Sequence, residues 1–383
     1  MAKKLVVSVM NGAWQVVPAI GNMAIAAIVV RLFSPETWGA VVELLVWQQI
    51  ANGVLNWGNR DFLQRLYAQT PRAFQSAFAS FFVQRLVLLA ICGIGVTVFF
   101  PSEFALVLFG LISGRYVVQS FFVYVTITHK FGRMVAIEFI GIGLQISLMF
   151  WVSNIQEIFM VLLAGIWLKA LLCFVFFKMD FKHLSLKTPY LKDSFYFAMI
   201  GISGLFLSKL DILAATKLLS LEQLGQYQII LLFLLNLQSG VMIISGPFIH
   251  HFYRSNEETQ TESNRKLRLI GLPLVLVGLG AVQVVLQVIY GISFKWSNLF
   301  PQIIICVMPY LYIKWIYKLN EVHQEHSLLW ISLIGVAVLA LLFWFLSLQQ
   351  TIDINRFFWV LAVHQSFMLG AYYFGYTLKL KRV

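Results

Sequence analysis

Apolar residues run through this sequence in blocks of about twenty or more, each closed by a short polar connection. Twelve such blocks fall near 5–30, 35–57, 77–100, 104–127, 133–152, 156–178, 195–216, 222–249, 267–290, 296–317, 327–348 and 355–377. A helix rises about 1.5 Å per residue, so about 20 mostly apolar residues cross a bilayer core. The pattern therefore predicts an all-α polytopic membrane protein of about twelve transmembrane helices. Inside the blocks, the scattered polar residues recur at helical spacing. Ser8, Asn11, Gln15 and Asn22 form one stripe on the first span, and Gln48, Asn52, Asn56 and Asn59 one on the second, with Glu43 pointing almost oppositely. Arg115, Gln119 and Thr126 share a face of the fourth span, and Glu138 and Gln145 a face of the fifth. Residues three, four and seven apart stack on one side of a helix.

Composition agrees. The chain is 60% hydrophobic and only 11% charged, against about 25% charged in soluble domains. Its mean hydropathy is +0.82. The opening apolar run is too long for a signal-peptide core and has no convincing small-residue cleavage site, so it reads as a retained first helix. Lys and Arg in the connections set orientation. Placing both termini in the cytoplasm puts about 20 of the 28 basic residues on that side and about four (Arg31, Lys217, Lys295, Arg356) outside. The net charge of +12 then suits anionic lipid headgroups of the bilayer and carries no case for nucleic acid. Cys92, Cys173 and Cys306 fall singly in separate apolar runs, with no disulfide or metal spacing.

One phrase occurs twice. RLFSPETWG (31–39) returns 186 residues later as KLLSLEQLG (217–225), and six of nine positions keep their character. Each copy sits at the outer end of a hairpin, between spans one and two and between spans seven and eight. Ser34 and Ser220 suit the N-cap, Pro35 the first helical position, and Glu36 and Glu222 the positive helix end. Gly39 and Gly225 allow a neighbouring helix close approach. An even shift of six spans makes both halves face the same way, with a pseudo-two-fold axis along the membrane normal. The expected architecture is two six-helix lobes around a central cavity. The N-terminal lobe covers 1–190, with a cytoplasmic linker from about 178, and the C-terminal lobe 191–383.

Here the sequence resembles a family. VVRLFSPETWGAVVELLVWQQIANGVLNWGNRDFLQR is similar to the first-hairpin region of polysaccharide flippases of the O-antigen (Wzx) type, in the multidrug/oligosaccharidyl-lipid/polysaccharide (MOP) exporter superfamily. SKLDILAATKLLSLEQLGQYQIILLFLLNLQSGVMIISGPFIHHFYR is similar to the region opening that family's second half. There an acidic residue in span seven, a Gly-x-Tyr entering span eight and a Pro near its cytoplasmic end are usual. Asp211, Gly225–Tyr227 and Pro247 hold those positions. The resemblance implies a bacterial inner-membrane flippase that works by alternating access on a polyprenyl-pyrophosphate-linked oligosaccharide, such as an O-antigen or other surface polysaccharide repeat unit. It implies no cofactor and no covalent chemistry, and as partners a coupling cation (H+ or Na+) and a polysaccharide polymerase machinery.

Ionisable residues inside spans are functional candidates because burial there costs several kcal/mol. Arg115, Lys169, Arg85 and Lys209 are candidates for binding pyrophosphate or acidic sugar, since guanidinium grips phosphate oxygens in bidentate fashion and ammonium acts as a point charge. Glu43, Glu138 and Asp211 are candidates for ion coupling or for neutralising nearby bases. Asn11, Gln15, Asn22, Gln119 and Gln145 are candidate cavity-lining polar residues. The alternative for any of these charges is pairing across helices that fixes packing. The segment 60–80 reads as a basic amphipathic stretch on the cytoplasmic surface, either an interfacial anchor or a guide for an anionic headgroup.

Enzymatic readings find little support. There is no GxxxxGK[ST] phosphate loop and no Asp-x-Asp, and His323 and His326 alone make no metal site. A membrane-embedded glycan polymerase or transferase has a similar span count, but the outer connections here are only about four to seven residues. A drug–cation antiporter of the same superfamily is the other alternative, expected to present a carboxylate-dominated cavity. The four-to-three excess of basic over acidic residues in the spans argues mildly against it.

Overall fold

In a computed structural model, residues 2–177, 179, 190–245, 257–292, 299–321, 325–349 and 352–380 are described. Among them every regular element is helical. The first part of the chain forms α1 (Ala2–Leu32), α2 (Pro35–Asn56), α3 (Asn59–Gln69), a 3-10 turn (Pro71–Ala73), α4 (Phe74–Phe99), α5 (Ser102–Thr128), α6 (Phe131–Met149) and α7 (Ile155–Phe176). A single turn, α8 (Tyr190–Asp193), precedes α9 (Phe195–Leu218), α10 (Leu221–Ser245), α11 (Glu257–Tyr290), α12 (Leu299–Glu321), α13 (Glu325–Ser347) and α14 (Ile354–Leu380). Each of the twelve expected spans coincides with one long helix. Among the described residues, nine of these helices contain a stretch long and apolar enough to cross a membrane; α2, α10 and α14 have the length, at 22, 25 and 27 residues.

Between the apolar blocks at 222–249 and 267–290 the polar stretch is helical from Glu257. Its acidic start and straight-chain residues favour helix, so the helix runs on past the apolar block. The amphipathic stretch at 60–80 divides into the surface helix α3 and the start of α4. Leu63 of α3 is fully buried, whereas Arg60, Arg65 and Arg72 are exposed. The turn before α3 needs a left-handed backbone at Trp57 and Gly58 (φ 44° and 67°). A Cβ on Gly58 would also stand 2.6 Å from that of Phe197, so glycine is required there twice over.

The side-chain pattern is that of lipid-facing helices. On α4, Val87, Ile91, Ile94 and Val98 are all more than half exposed and lie four, three and four residues apart, while Phe78, Phe81, Phe82 and Arg85 are buried. The outward stripe is apolar and the polar residues turn inward, the reverse of a soluble helix. α13 repeats this with Trp330, Ile334, Leu341 and Phe345 outward.

The chain forms two compact units. The first comprises Met1–Val29 and Val41–Leu205, the second Val30–Ala40 and Phe206–Val383. The chain passes from the first unit to the second within α9, after Leu205. It also sends the tip of its first hairpin into the second unit. That tip is the first copy of the repeated phrase, and it packs on the second copy. Both serines cap as expected: Ser34 Oγ accepts from the Thr37 N–H at 3.1 Å, and Ser220 Oγ from the Gln223 N–H at 3.3 Å. In the second copy Gln223 Oε1 also accepts from the Ser220 N–H at 3.3 Å, which closes a reciprocal capping box. A Cβ on Gly39 would collide with the carbonyl oxygen of Leu221, and one on Gly225 with the carbonyl oxygen of Pro35. Residues 39 and 225 correspond in the repeat, as do 35 and 221. The two contacts are thus one contact made twice, and a local two-fold relates the turns. Trp38, buried beside this joint, donates its indole N–H to Gln228 Oε1 at 3.2 Å. Arg31 donates to the carbonyls of Val288 and Ile289 at the end of α11, where a cation meets the negative helix end.

The joint leaves no room for a side chain at either glycine. Gly39→Val and Gly225→Val are each expected to destabilise by about 2–3 kcal/mol, read as a lower melting temperature of the detergent-solubilised protein. Gly95→Ala, at a helical site with nothing within 4 Å of the new methyl, should be unchanged or slightly stabilised.

Candidate functional site

The first unit concentrates its charge on three neighbouring helices. Arg115 lies midway along α5, Glu138 on α6 and Lys169 on α7. Lys169 Nζ stands 2.7 Å from Glu138 Oε2, the one ion pair among the described residues. Both are buried, with 8% and 1% of the side chain exposed. Two glycines let them meet. A Cβ on Gly141 of α6 would collide with the aliphatic stem of Lys169, and one on Gly165 of α7 would collide with Gln145 of α6. Each helix thus lays a long polar side chain across a glycine of the other. Gln145 Nε2 donates to the Leu162 carbonyl at 3.1 Å. Glu138 Oε1 is buried with no hydrogen-bond partner among the described residues. Arg115 is half-buried, stands near enough for its charge to act on Lys169, and makes no ion pair or hydrogen bond among the described residues. Its guanidinium lies 5.8 Å from the Phe122 ring, on which Trp14 of α1 packs edge-on at 5.0 Å.

Arg85 stands apart from this group. It is fully buried, and its guanidinium donates to the carbonyls of Leu55 (3.3 Å) and Asn56 (3.5 Å) at the end of α2 and to Ser120 Oγ (3.0 Å). The rings of Phe81 and Tyr116 lie 5.0 and 5.2 Å from it. A cation at the negative end of a helix, sandwiched by aromatic faces, holds that end in place. The sequence proposed substrate binding for Arg85; the geometry turns it to the protein's own carbonyls instead.

In the second unit, Asp211 of α9 is buried and its Oδ2 accepts from the Tyr227 hydroxyl of α10 at 2.9 Å. Tyr227 is itself fully buried against Phe357 and Phe358, at 5.4 and 5.3 Å. Asp211 Oδ1 has no hydrogen-bond partner among the described residues. Lys209, two residues away and half-buried, feels the Asp211 charge but makes no ion pair with it. The spacing explains this, because residues two apart point to different sides of a helix.

The remaining candidates are dispersed. Glu43 and Gln119 are half-buried and Asn22 is exposed; Gln145 is held by the Leu162 carbonyl rather than open. The side chains of Asn11 and Gln15 lie outside the described residues, as do Pro247, His323 and His326. Sequence reasoning missed Tyr227 as the partner of Asp211, although both stand in the segment that carried the resemblance. It also missed Gly141 and Gly165, whose signal was present: each lies within four residues of the charged group on its own helix.

No protein-family model and no curated protein sequence matches the chain. Solved structures do. An inward-facing multidrug-resistance MATE family transporter of the MOP superfamily matches with a TM-score of 0.59 at 13% identity, over 95% of this chain and 94% of that one. An outward-facing structure of such a transporter matches with a TM-score of 0.61 at 12% identity, over 96% and 93%. A MOP superfamily transporter from Pyrococcus furiosus, described as having a binding pocket of reverse polarity that suggests a different function, matches with a TM-score of 0.58 at 11% identity, over 98% and 94%. This chain therefore has the fold of MOP superfamily transporters, with the all-helical, twelve-helix architecture that the sequence predicted. The two conformations match almost equally, so the likeness lies in the fold rather than in one state.

The different settings of the two arginines make a direct comparison. Arg85→Ala should lose on the order of 3 kcal/mol through the cavity and the stranded carbonyls, seen as a marked fall in melting temperature. Arg115→Ala should stay within about 1 kcal/mol of the parent.

Proposed function

We propose that this protein is a flippase that moves a polyprenyl-pyrophosphate-linked oligosaccharide across the bacterial inner membrane, with both termini cytoplasmic, by alternating access. The observation that carries the reading is Arg115: a guanidinium midway along a membrane span, half-buried and without an anionic partner among the described residues. Such a group is costly unless an anion or water meets it, and its planar fork suits phosphate. Lys169 stands behind it in the same unit, and Lys209 offers a cation in the second. Arg85 is left out of the substrate set because it anchors α2. The fold supports transport, and the resemblance of the two hairpins supports a lipid-linked glycan as cargo.

A second reading has its own observation. With Arg85 withdrawn, the span charges stand at three basic to three acidic. Asp211 keeps a buried carboxylate oxygen without a hydrogen-bond partner among the described residues, beside an aromatic cluster, and a cation would satisfy it. Two of the structural neighbours are described as multidrug-resistance transporters. A drug–cation antiporter is therefore the alternative.

The test is the sidedness of lipid-linked oligosaccharide in vesicles from cells depleted of this protein, probed with a membrane-impermeant lectin. Depletion and Arg115→Ala are both expected to trap glycan on the cytoplasmic face. Unchanged sidedness after depletion, together with cationic-drug resistance on overexpression that Asp211→Asn abolishes, would move the antiporter to the front. Trapping by depletion but not by Arg115→Ala would keep the function and remove Arg115 from the site.

A further inference from the structure

Glu138 and Lys169 were separate candidates in the sequence, one for ion coupling and one for substrate. The structure makes them a single unit, and the exposures have an order. Arg115 is half-buried, Lys169 is 6% exposed and Glu138 is 1% exposed. An anion approaching from the Arg115 side would meet guanidinium first, ammonium second and carboxylate last. Besides Glu138, the charged or titratable groups near enough to act on Lys169 are Arg115 and the Cys173 thiol. Lys169 is the only described donor to Glu138, whose second oxygen already has no partner.

We propose that Glu138 is an internal counter-ion that an anionic headgroup displaces from Lys169, and that the displaced carboxylate takes up a proton. This rests on the reading that Arg115 and Lys169 receive phosphate oxygens. The balance is simple. The anion forms charge-assisted hydrogen bonds to Arg115 and to the Lys169 ammonium, which stays protonated. The Glu138 carboxylate, left buried without a cation, accepts one proton from water at the accessible face and becomes a neutral acid. When the anion leaves, Lys169 returns to Glu138 and that proton is released. A buried carboxylate cannot stay charged without a partner, so the two events are linked. One proton then accompanies each anion through this unit, in the same direction. No separate cation site is required for that coupling.

The experiment is calorimetric titration of the full-length, detergent-solubilised protein with inorganic pyrophosphate near neutral pH, in buffers of different ionisation enthalpy. The slope against buffer enthalpy gives protons taken up per anion bound. Glu138→Gln is the reference, because it subtracts any protonation change of pyrophosphate itself. The wild type is expected to take up close to one proton more than Glu138→Gln. The variant should also bind several-fold more tightly, since no carboxylate competes for Lys169. Equal uptake in the two proteins, with binding intact and weakened by Arg115→Ala, would overturn the coupling and leave the anion site standing. Absent binding, or binding indifferent to both Arg115→Ala and Lys169→Met, would overturn the anion reading and the coupling with it. If Glu138→Gln does not fold, the doubly neutral Glu138→Gln/Lys169→Met replaces it as the reference, as neutral replacement of a buried pair is commonly tolerated. Its binding through Arg115 should be weaker and free of the extra proton.

Discussion

In the second unit backbone packs against backbone where Gly39 meets the carbonyl of Leu221 and Gly225 that of Pro35. Much else follows from it. Helices in lipid gain little from burying apolar surface against each other, because the lipid tails are as apolar as their side chains. Close packing must supply what the hydrophobic effect does not, and two glycines in register allow it. The caps on either side make the turns rigid enough to be useful, since Ser34 and Ser220 fix the first helical turn whose carbonyl the opposite glycine touches. The tip of the first hairpin is thereby fastened into the second unit although its two helices, over most of their length, belong to the first.

The second constraint is that a charge or a polar group in the spans has to find its partner within the protein. The chain solves this in several distinct ways. Lys169 and Glu138 neutralise one another; Arg85 is met by helix-end carbonyls, a hydroxyl and two aromatic faces; Asp211 is met by a phenol. The first solution is one side chain meeting another, so neutral replacement of both partners leaves no backbone group bare. The second differs, since removing the guanidinium leaves the end of α2 bare. Buried charges of the same sign thus have unlike settings, and the difference lies in what surrounds them.

This also explains what could be read from the sequence. The helices were legible because lipid imposes a length and a composition on every span, and the hairpin caps because their chemistry is local, with Ser, Pro and Glu in a fixed order. The repeat gave the correspondence of Gly39 with Gly225. It could not say that the two turns pack on each other, because that is a contact across nearly half the chain. The charged residues were legible as a set, and their division was not. Helical spacing told which residues share a face of one helix, whereas Arg85, Glu138 and Asp211 are each decided by a partner on another helix. Lys209 and Asp211 are the exception: two residues apart, they were excluded as a facing pair from sequence alone, and the structure keeps them unpaired.

The repeated halves finally separate the shared turn from the buried charges. What recurs after 186 residues is the turn: cap, acidic first position, glycine. What does not recur is the buried charge of the second hairpin. At the same spacing of 186, the positions corresponding to Asp211 and Tyr227 in the first half are Ile25 and Val41, both buried apolar residues. The phenol-bound carboxylate therefore belongs to one half of the repeat alone, whereas the capped turn and its glycine belong to both, which is why the turns can pack on each other as equals while the buried charges have to find unlike partners.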